Sequence, residues 1–166
     1  MGQVVSQADL ILRRGSWKAD GHVVVCVKGS FDLLHPGHIR LLEQARAFGD
    51  ILVVAVRSDA SVHAPLASDS TVPSSVARPI TPASERMEIL ASLAAVDYIV
   101  EFDDQSWPDL CACLAPDVIV RGAPDEATTS TTPAAPTACR IETVAREPGY
   151  STEQLIARIA QTKPAP

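Results

Sequence analysis

Five short strand-like runs, at residues 22–28, 50–56, 97–102, 118–120 and 139–144, the first two and the fourth almost wholly apolar inside their ends, alternate with stretches whose apolar residues recur at helical spacing. A run that is apolar at nearly every position, rather than at every second one, suits a strand covered on both faces, as in a parallel sheet. The intervening stretches carry Leu41, Leu42, Ala45 and Phe48, then Met87, Leu90, Ala91 and Ala94, then Leu155, Ile156 and Ile159. Each set falls on one side of a helix. Strand, helix and strand in succession imply right-handed parallel connections, so the expected class is α/β with a single five-stranded parallel sheet.

Punctuation residues sharpen the boundaries. Gly49 is placed to close the first of these helices. Thr81 as N-cap with Pro82 at the first helical position starts the next, and Ser106 is placed to cap a short helix to Leu114. Ser151 and Gln154 have capping-box spacing at the last one. Residues 1–21 read as a lead-in, weakly helical from Ala8 to Arg14 with Gly15 as a stop, and residues 22–162 as one domain. Residues 60–79 and 123–138, rich in Ser, Thr, Ala and Pro, read as long loops.

The densest chemistry lies between Val27 and His38, where glycine, proline and two histidines join the first apolar run to a helix. In open parallel sheets ligands gather beyond the carboxyl ends of the strands, and a helix N-terminus offers unpaired N–H groups to an anion. Gly29 and Gly37 let the backbone pass close to a phosphate. His35 and His38, three apart, are expected to project from one face of the opening turn as a pair of donors to a phosphate. A zinc site is not indicated, because His22, His63 and the cysteines are scattered at no metal-binding spacing.

Charge and composition exclude other classes. At 166 residues, 46% apolar and 20% charged, the chain suits one globular domain, and no apolar run approaches the ~20 residues of a membrane span. The first residues show no basic region ahead of an apolar core, so the expected location is cytoplasmic. A net charge of −6 argues against nucleic acid as a partner. The lysines are Lys18, Lys28 and Lys163, so a phosphate site must draw on arginine, histidine, backbone N–H groups and metal. Cys26, Cys111, Cys113 and Cys139 form no disulfide framework and read as free thiols.

The segment Gly29-Ser-Phe-Asp-Leu-Leu-His-Pro-Gly-His38 resembles the H-x-G-H signature of the cytidylyltransferase-like nucleotidyltransferases, within them most nearly the adenylyltransferases of ADP-heptose synthesis. The resemblance covers roughly residues 21–160. It implies a Rossmann-like sheet with helices on both faces. It also implies site roles for Gly29, Ser30, Phe31, Asp32 and Gly37 in the signature, for Arg86 in the segment Arg78 to Leu90, for Arg121 and Gly122 after the fourth strand, and for Ser151 and Thr152 at a helix start. Two segments depart from the family. No lysine stands between Lys28 and Lys163, and Arg121-Gly-Ala-Pro-Asp125 replaces a Lys-Gly-Gly-Asp pattern.

The implied reaction is transfer of a nucleoside monophosphate, AMP from ATP, to a phosphorylated sugar with release of pyrophosphate. His35 and His38 would hold the reacting phosphates, with Mg²⁺ bound by substrate oxygens and no metal cage of protein side chains. ATP and a phosphorylated small-molecule acceptor are the expected partners, with a homodimer kept as an option for assembly. A CTP-dependent enzyme of the glycerol 3-phosphate type and a nucleotide-binding module without turnover are the alternatives.

Overall fold

A computed structural model of the chain describes residues 1–63, 77–123 and 139–161. Along it run β1 (Gln3–Val4), α1 (Gln7–Ala19), β2 (Val24–Gly29), α2 (Pro36–Arg46), β3 (Ile51–Arg57) and α3 (Asp59–His63). After the first gap come α4 (Ala83–Ala91), β4 (Tyr98–Phe102), α5 (Trp107–Leu114) and β5 (Val118–Gly122), and after the second β6 (Arg140–Val144) and α6 (Thr152–Gln161). All strand pairings are parallel, in the order β1-β4-β3-β2-β5-β6.

The apolar runs become strands because both of their faces are covered. Val24 to Val27 and Ile51 to Val56 are buried throughout. Alternate residues divide between two cores. Val25, Val27, Leu52, Val54 and Val56 pack with Leu42 and Ala45 of α2 and Leu90 of α4. Val24, Cys26, Val53 and Ala55 pack with Leu10 and Trp17 of α1 and with Trp107, Leu110 and Leu114 of α5. β2 and β5 are neighbours in the sheet but not in sequence, and the strand order turns around between them. That switch point is where an open parallel sheet leaves a crevice for ligand.

The described residues hold six strands, not five, and the lead-in belongs to the fold. β1 pairs with β4 through Gln3↔Tyr98 and Val4↔Ile99. Gly15 does not stop the helix: α1 runs on to Ala19, because Leu10, Arg14 and Trp17 form a buried stripe whose docking outweighs the ~1 kcal/mol cost of one glycine. Ser6 caps this helix, its Oγ accepting from Asp9 N at 3.1 Å. Arg14 Nε donates to Leu114 O at 2.9 Å and so ties α1 to the end of α5.

Three boundaries also shift. α2 ends at Arg46 with Ala47 as C-cap, three residues before Gly49. α4 begins at Ala83 with Pro82 as N-cap, and its first donor, Ala83 N, bonds to Asp59 Oδ1 at 2.9 Å, so a carboxylate from another element does what Thr81 was expected to do. The loop expected over residues 60–79 begins as α3. Most of it, residues 64–76, lies outside the described residues, as do residues 124–138 of the second loop. No helix among the described residues is long and apolar enough to cross a membrane.

Candidate active site

The signature forms a turn from the carboxyl end of β2 to the start of α2. Phe31 takes a positive φ of 50° and is buried. A Cβ on Gly29 would lie 2.9 Å from its ring, so glycine is needed there for close packing of the turn on itself. His35 is not on the helix: it is the N-cap, with extended φ and ψ of −141° and 166°, and Pro36 opens α2. His38 N donates both to His35 O at 2.9 Å and to His35 Nδ1 at 3.3 Å. The two imidazoles stack with centroids 3.7 Å apart and planes inclined by 18°.

Burial lowers the pKa of His35. The same cause, with His35 second, brings His38 down to about 4. Both rings are therefore neutral near pH 7. With Nδ1 accepting a hydrogen bond, neutral His35 carries its proton on Nε2. His38 Nδ1 is buried with no hydrogen-bond partner among the described residues.

Around this pair the chain closes from two sides. A Cβ on Gly37 would lie 3.0 Å from His35 Nδ1 and 3.3 Å from Tyr150 Cβ, so the turn before α6 packs tightly on the start of α2 at a position where glycine fits without displacement. Glu153, in the first turn of α6, is near enough to oppose the lowering of both histidine pKa values. Burial would raise the pKa of Glu153 itself. Its backbone N–H, the Ser151 hydroxyl and Arg78 outweigh that and lower it. Ser151 Oγ accepts from Gln154 N at 3.1 Å, and Thr152 is buried at the first position of α6. Tyr150 and Glu153 were not singled out in the sequence, although both adjoin the Ser151-Thr152 element.

Two residues expected to touch nucleotide are committed to the protein. The buried Asp32 carboxylate accepts from Ile80 N at 2.7 Å, Thr81 N at 2.9 Å and Arg78 Nε at 3.1 Å, and so clamps the segment ahead of α4 onto the signature turn. Arg78 Nη1 reaches on to Glu153 at 3.3 Å. Arg86 is 1% exposed. Its guanidinium donates to Thr81 O at 2.9 Å, Arg57 O at 2.8 Å, Ser30 O and Asp59 Oδ1. It holds three loop ends together at the sheet rim, so Asp32 and Arg86 both tie the segment ahead of α4 to the signature turn.

Arg121 and Gly122 end β5, across the switch point from the signature turn. Arg121 Nε donates to Thr143 Oγ1 at 3.3 Å on β6. The nearest atom to a Cβ on Gly122 would be Arg146 Cγ at 4.0 Å, so packing does not demand a glycine there. Asp125 lies outside the described residues. A depression of about 500 Å³ beside the signature turn is lined by Phe31, Asp32, Thr81 and Arg86 together with Leu34, Ile89 and Leu155, and neither histidine is in its lining. Among the described residues no three His, Cys, Asp or Glu side chains gather as a metal site.

A family model described as Cytidylyltransferase-like matches residues 26–158. Curated relatives include the bifunctional protein HldE of Koribacter versatilis, 44% identical over 120 residues, and that of Haemophilus influenzae strain PittGG, 42% identical over 119. Each alignment covers 72% of this chain but 23% of the relative, so the chain spans about a quarter of their length. Among solved structures, the lipopolysaccharide core biosynthesis protein of Thermoplasma volcanium superposes with a TM-score of 0.55 at 21% identity, covering 76% of this chain and 98% of that one. A pantoate-beta-alanine ligase of Francisella tularensis, solved with beta-gamma ATP and beta-alanine, superposes with a TM-score of 0.59 at 15% identity, covering 90% and 69%. These two likenesses bear on the fold.

Proposed function

The chain belongs to the cytidylyltransferase-like family of nucleotidyltransferases, and from that premise we propose that it transfers AMP from ATP to a sugar phosphate of the heptose 1-phosphate type. The observation that carries this reading is the stacked His35–His38 pair at the start of α2, beside the switch point between β2 and β5. Two neutral imidazoles and the first N–H groups of a helix form a donor set for phosphate oxygens. The 40–44% identity to HldE proteins favours a sugar phosphate over a polyol phosphate as acceptor.

In this reaction an oxygen of the acceptor phosphate attacks the α-phosphorus of ATP in line. A new P–O bond forms, the bond from the α-phosphorus to the bridging oxygen breaks, and pyrophosphate leaves with that electron pair. No proton need be removed from the ionised acceptor. The chain's part is positioning and charge stabilisation. His35 Nε2–H and the His38 ring would donate to α- and β-phosphate oxygens as charge accumulates there. Gly29 to Phe31 would supply backbone N–H groups, Ser151 and Thr152 would bind the triphosphate tail at the start of α6, and Arg121 would offset charge across the switch point. The donors gathered here suit anions, so Mg²⁺ would arrive on the triphosphate and be held chiefly by its oxygens. Bound there, it supplies charge neutralisation between the phosphates.

The test is pyrophosphate release across the four nucleoside triphosphates, each with a panel of sugar 1-phosphates and polyol phosphates. ATP with a sugar 1-phosphate is expected to lead. Preference for CTP with glycerol 3-phosphate would move the assignment to the polyol branch. Nucleotide binding without release from any pair would leave a binding module without turnover.

A further inference from the structure

Every second side chain of a strand leaves on the same face. Val24 and Cys26 of β2, and Val53 and Ala55 of β3, belong to the core beneath α1 and α5. Lys28 and Arg57, next in phase, therefore emerge on that side at the carboxyl ends of two paired strands. Lys28 Nζ lies over the buried Trp107 ring, 4.8 Å from its centroid. Arg57 Nε is held 3.0 Å from Asp104 Oδ1, with 19% of the Arg57 side chain exposed.

Asp104 thus orients the guanidinium from one edge. Lys28 forms no salt bridge among the described residues, and its pKa is lowered first by burial and then by Arg57, with Asp104 opposing. In a chain of net charge −6 with lysine at 18, 28 and 163 only, two cations on one face at the carboxyl ends of adjacent strands carry more charge than a structural role needs. One arginine paired with Asp104 would serve that role without the second charge. An anion arriving between them relieves both the repulsion and the desolvation.

We propose that Lys28 and Arg57 form an anion subsite that receives the phosphate of the acceptor, on the α5 side of the β2 and β3 strand ends. The signature turn begins at the residue after Lys28, and Ser30 O and Arg57 O share the Arg86 guanidinium, so the subsite is tied to the turn that faces the nucleotide. The subsite rests on the transfer reaction proposed above, and supplies its second half. One phosphate oxygen attacks the nucleotide while the others stay on Lys28 and Arg57.

Trp107, beneath Lys28, is a local reporter. In a titration with inorganic phosphate followed by two-dimensional NMR, the Trp107 indole N–H resonance should move saturably, while Trp17, packed on Tyr98, should not. Lys28→Met and Arg57→Gln should each weaken phosphate on the order of tenfold, as expected for loss of one charge-assisted contact, with ATP affinity unchanged. Arg57→Lys, which keeps the charge, should weaken it less. Amide spectra check that each variant is folded, and Arg57→Gln carries the test if Lys28→Met is not. A Trp107 resonance indifferent to phosphate, or equal affinity in all variants, overturns the subsite. Phosphate reported by Trp107 through Lys28 and Arg57, in a protein that releases no pyrophosphate with any acceptor, supports the subsite and removes the transfer reaction instead.

Discussion

The ring of His35 caps the helix that carries His38: its Nδ1 accepts from His38 N at 3.3 Å while the two imidazoles stack at 3.7 Å. One interaction thus sets the tautomer of the first ring, the start of the helix and the position of the second ring. A pair coupled in this way is pre-organised, which is where electrostatic stabilisation of a transition state gains most.

Replacing His38 by alanine should slow pyrophosphate release far more than it weakens ATP. A donor aimed at the α-phosphate strengthens as charge builds there, so its loss falls on the transition state. The expected drop is on the order of 10² to 10³ in single-turnover rate, by analogy with the loss of one oxyanion donor. His63→Ala, at the end of α3, serves as control. Equal rates in the two variants would remove His38 from the catalytic machinery.

Acid should destabilise the fold through the same residues. His35 and His38 have folded pKa values below the ordinary 6.5, in the case of His38 at about 4, so below pH 6.5 the unfolded chain binds more protons than the folded one. Stability is then fully present above about 6.5 and declines as pH falls towards 4, with His38 accounting for about 1–3 kcal/mol. Urea unfolding at pH 7.5 and 4.5 should show a smaller acid loss in His38→Asn than in the parent. An identical loss in both would contradict this.

Arg86→Met should cost about 3–5 kcal/mol, because it leaves Asp59 and three loop carbonyls without their shared donor. Arg86→Lys should recover little, since one ammonium cannot span acceptors set around a planar fork. The check is the urea midpoint of each variant. Loss of ATP affinity at unchanged stability would instead return Arg86 to the nucleotide.

Gly37→Ala tests the junction of the two helix starts. The added methyl meets the His35 ring and Tyr150 Cβ, which must give way by a few tenths of an ångström. Turnover should fall while the unfolding midpoint moves by about 1–2 kcal/mol or less, as small-to-large changes at partly open sites do. A variant with parental kcat would show that the ring stacking tolerates displacement.

Much of this molecule is written locally. Runs such as Val24–Val27 and Ile51–Val56 announce two-sided burial by composition alone, and the strand-turn-helix chemistry from Gly29 to His38 is contiguous, so neighbouring residues suffice to identify it. Gln3–Val4 carried no such signal: two exposed residues become a strand only because β4 presents an open edge to pair with. Gly15 is locally a helix stop, and its helix continues because Leu10 and Trp17 on either side are buried against the α5 layer.

The roles of charged residues were decided by tertiary structure. Asp32 and Arg86 have the chemistry of ligand contacts and lie in motif segments, yet their partners, Ile80, Thr81, Ser30, Arg57 and Asp59, come from chain segments 27 to 56 residues away or from the turn before α4. Lys28 and Arg57 stand 29 positions apart and come to one face of the sheet rim because β2 and β3 pair in parallel with their carboxyl ends together. Sequence determines which side chains are available and the face of the strand or helix each will occupy, because backbone periodicity is local. Which acceptors a buried guanidinium meets depends on strand register and loop closure, and those are fixed only when the whole sheet assembles.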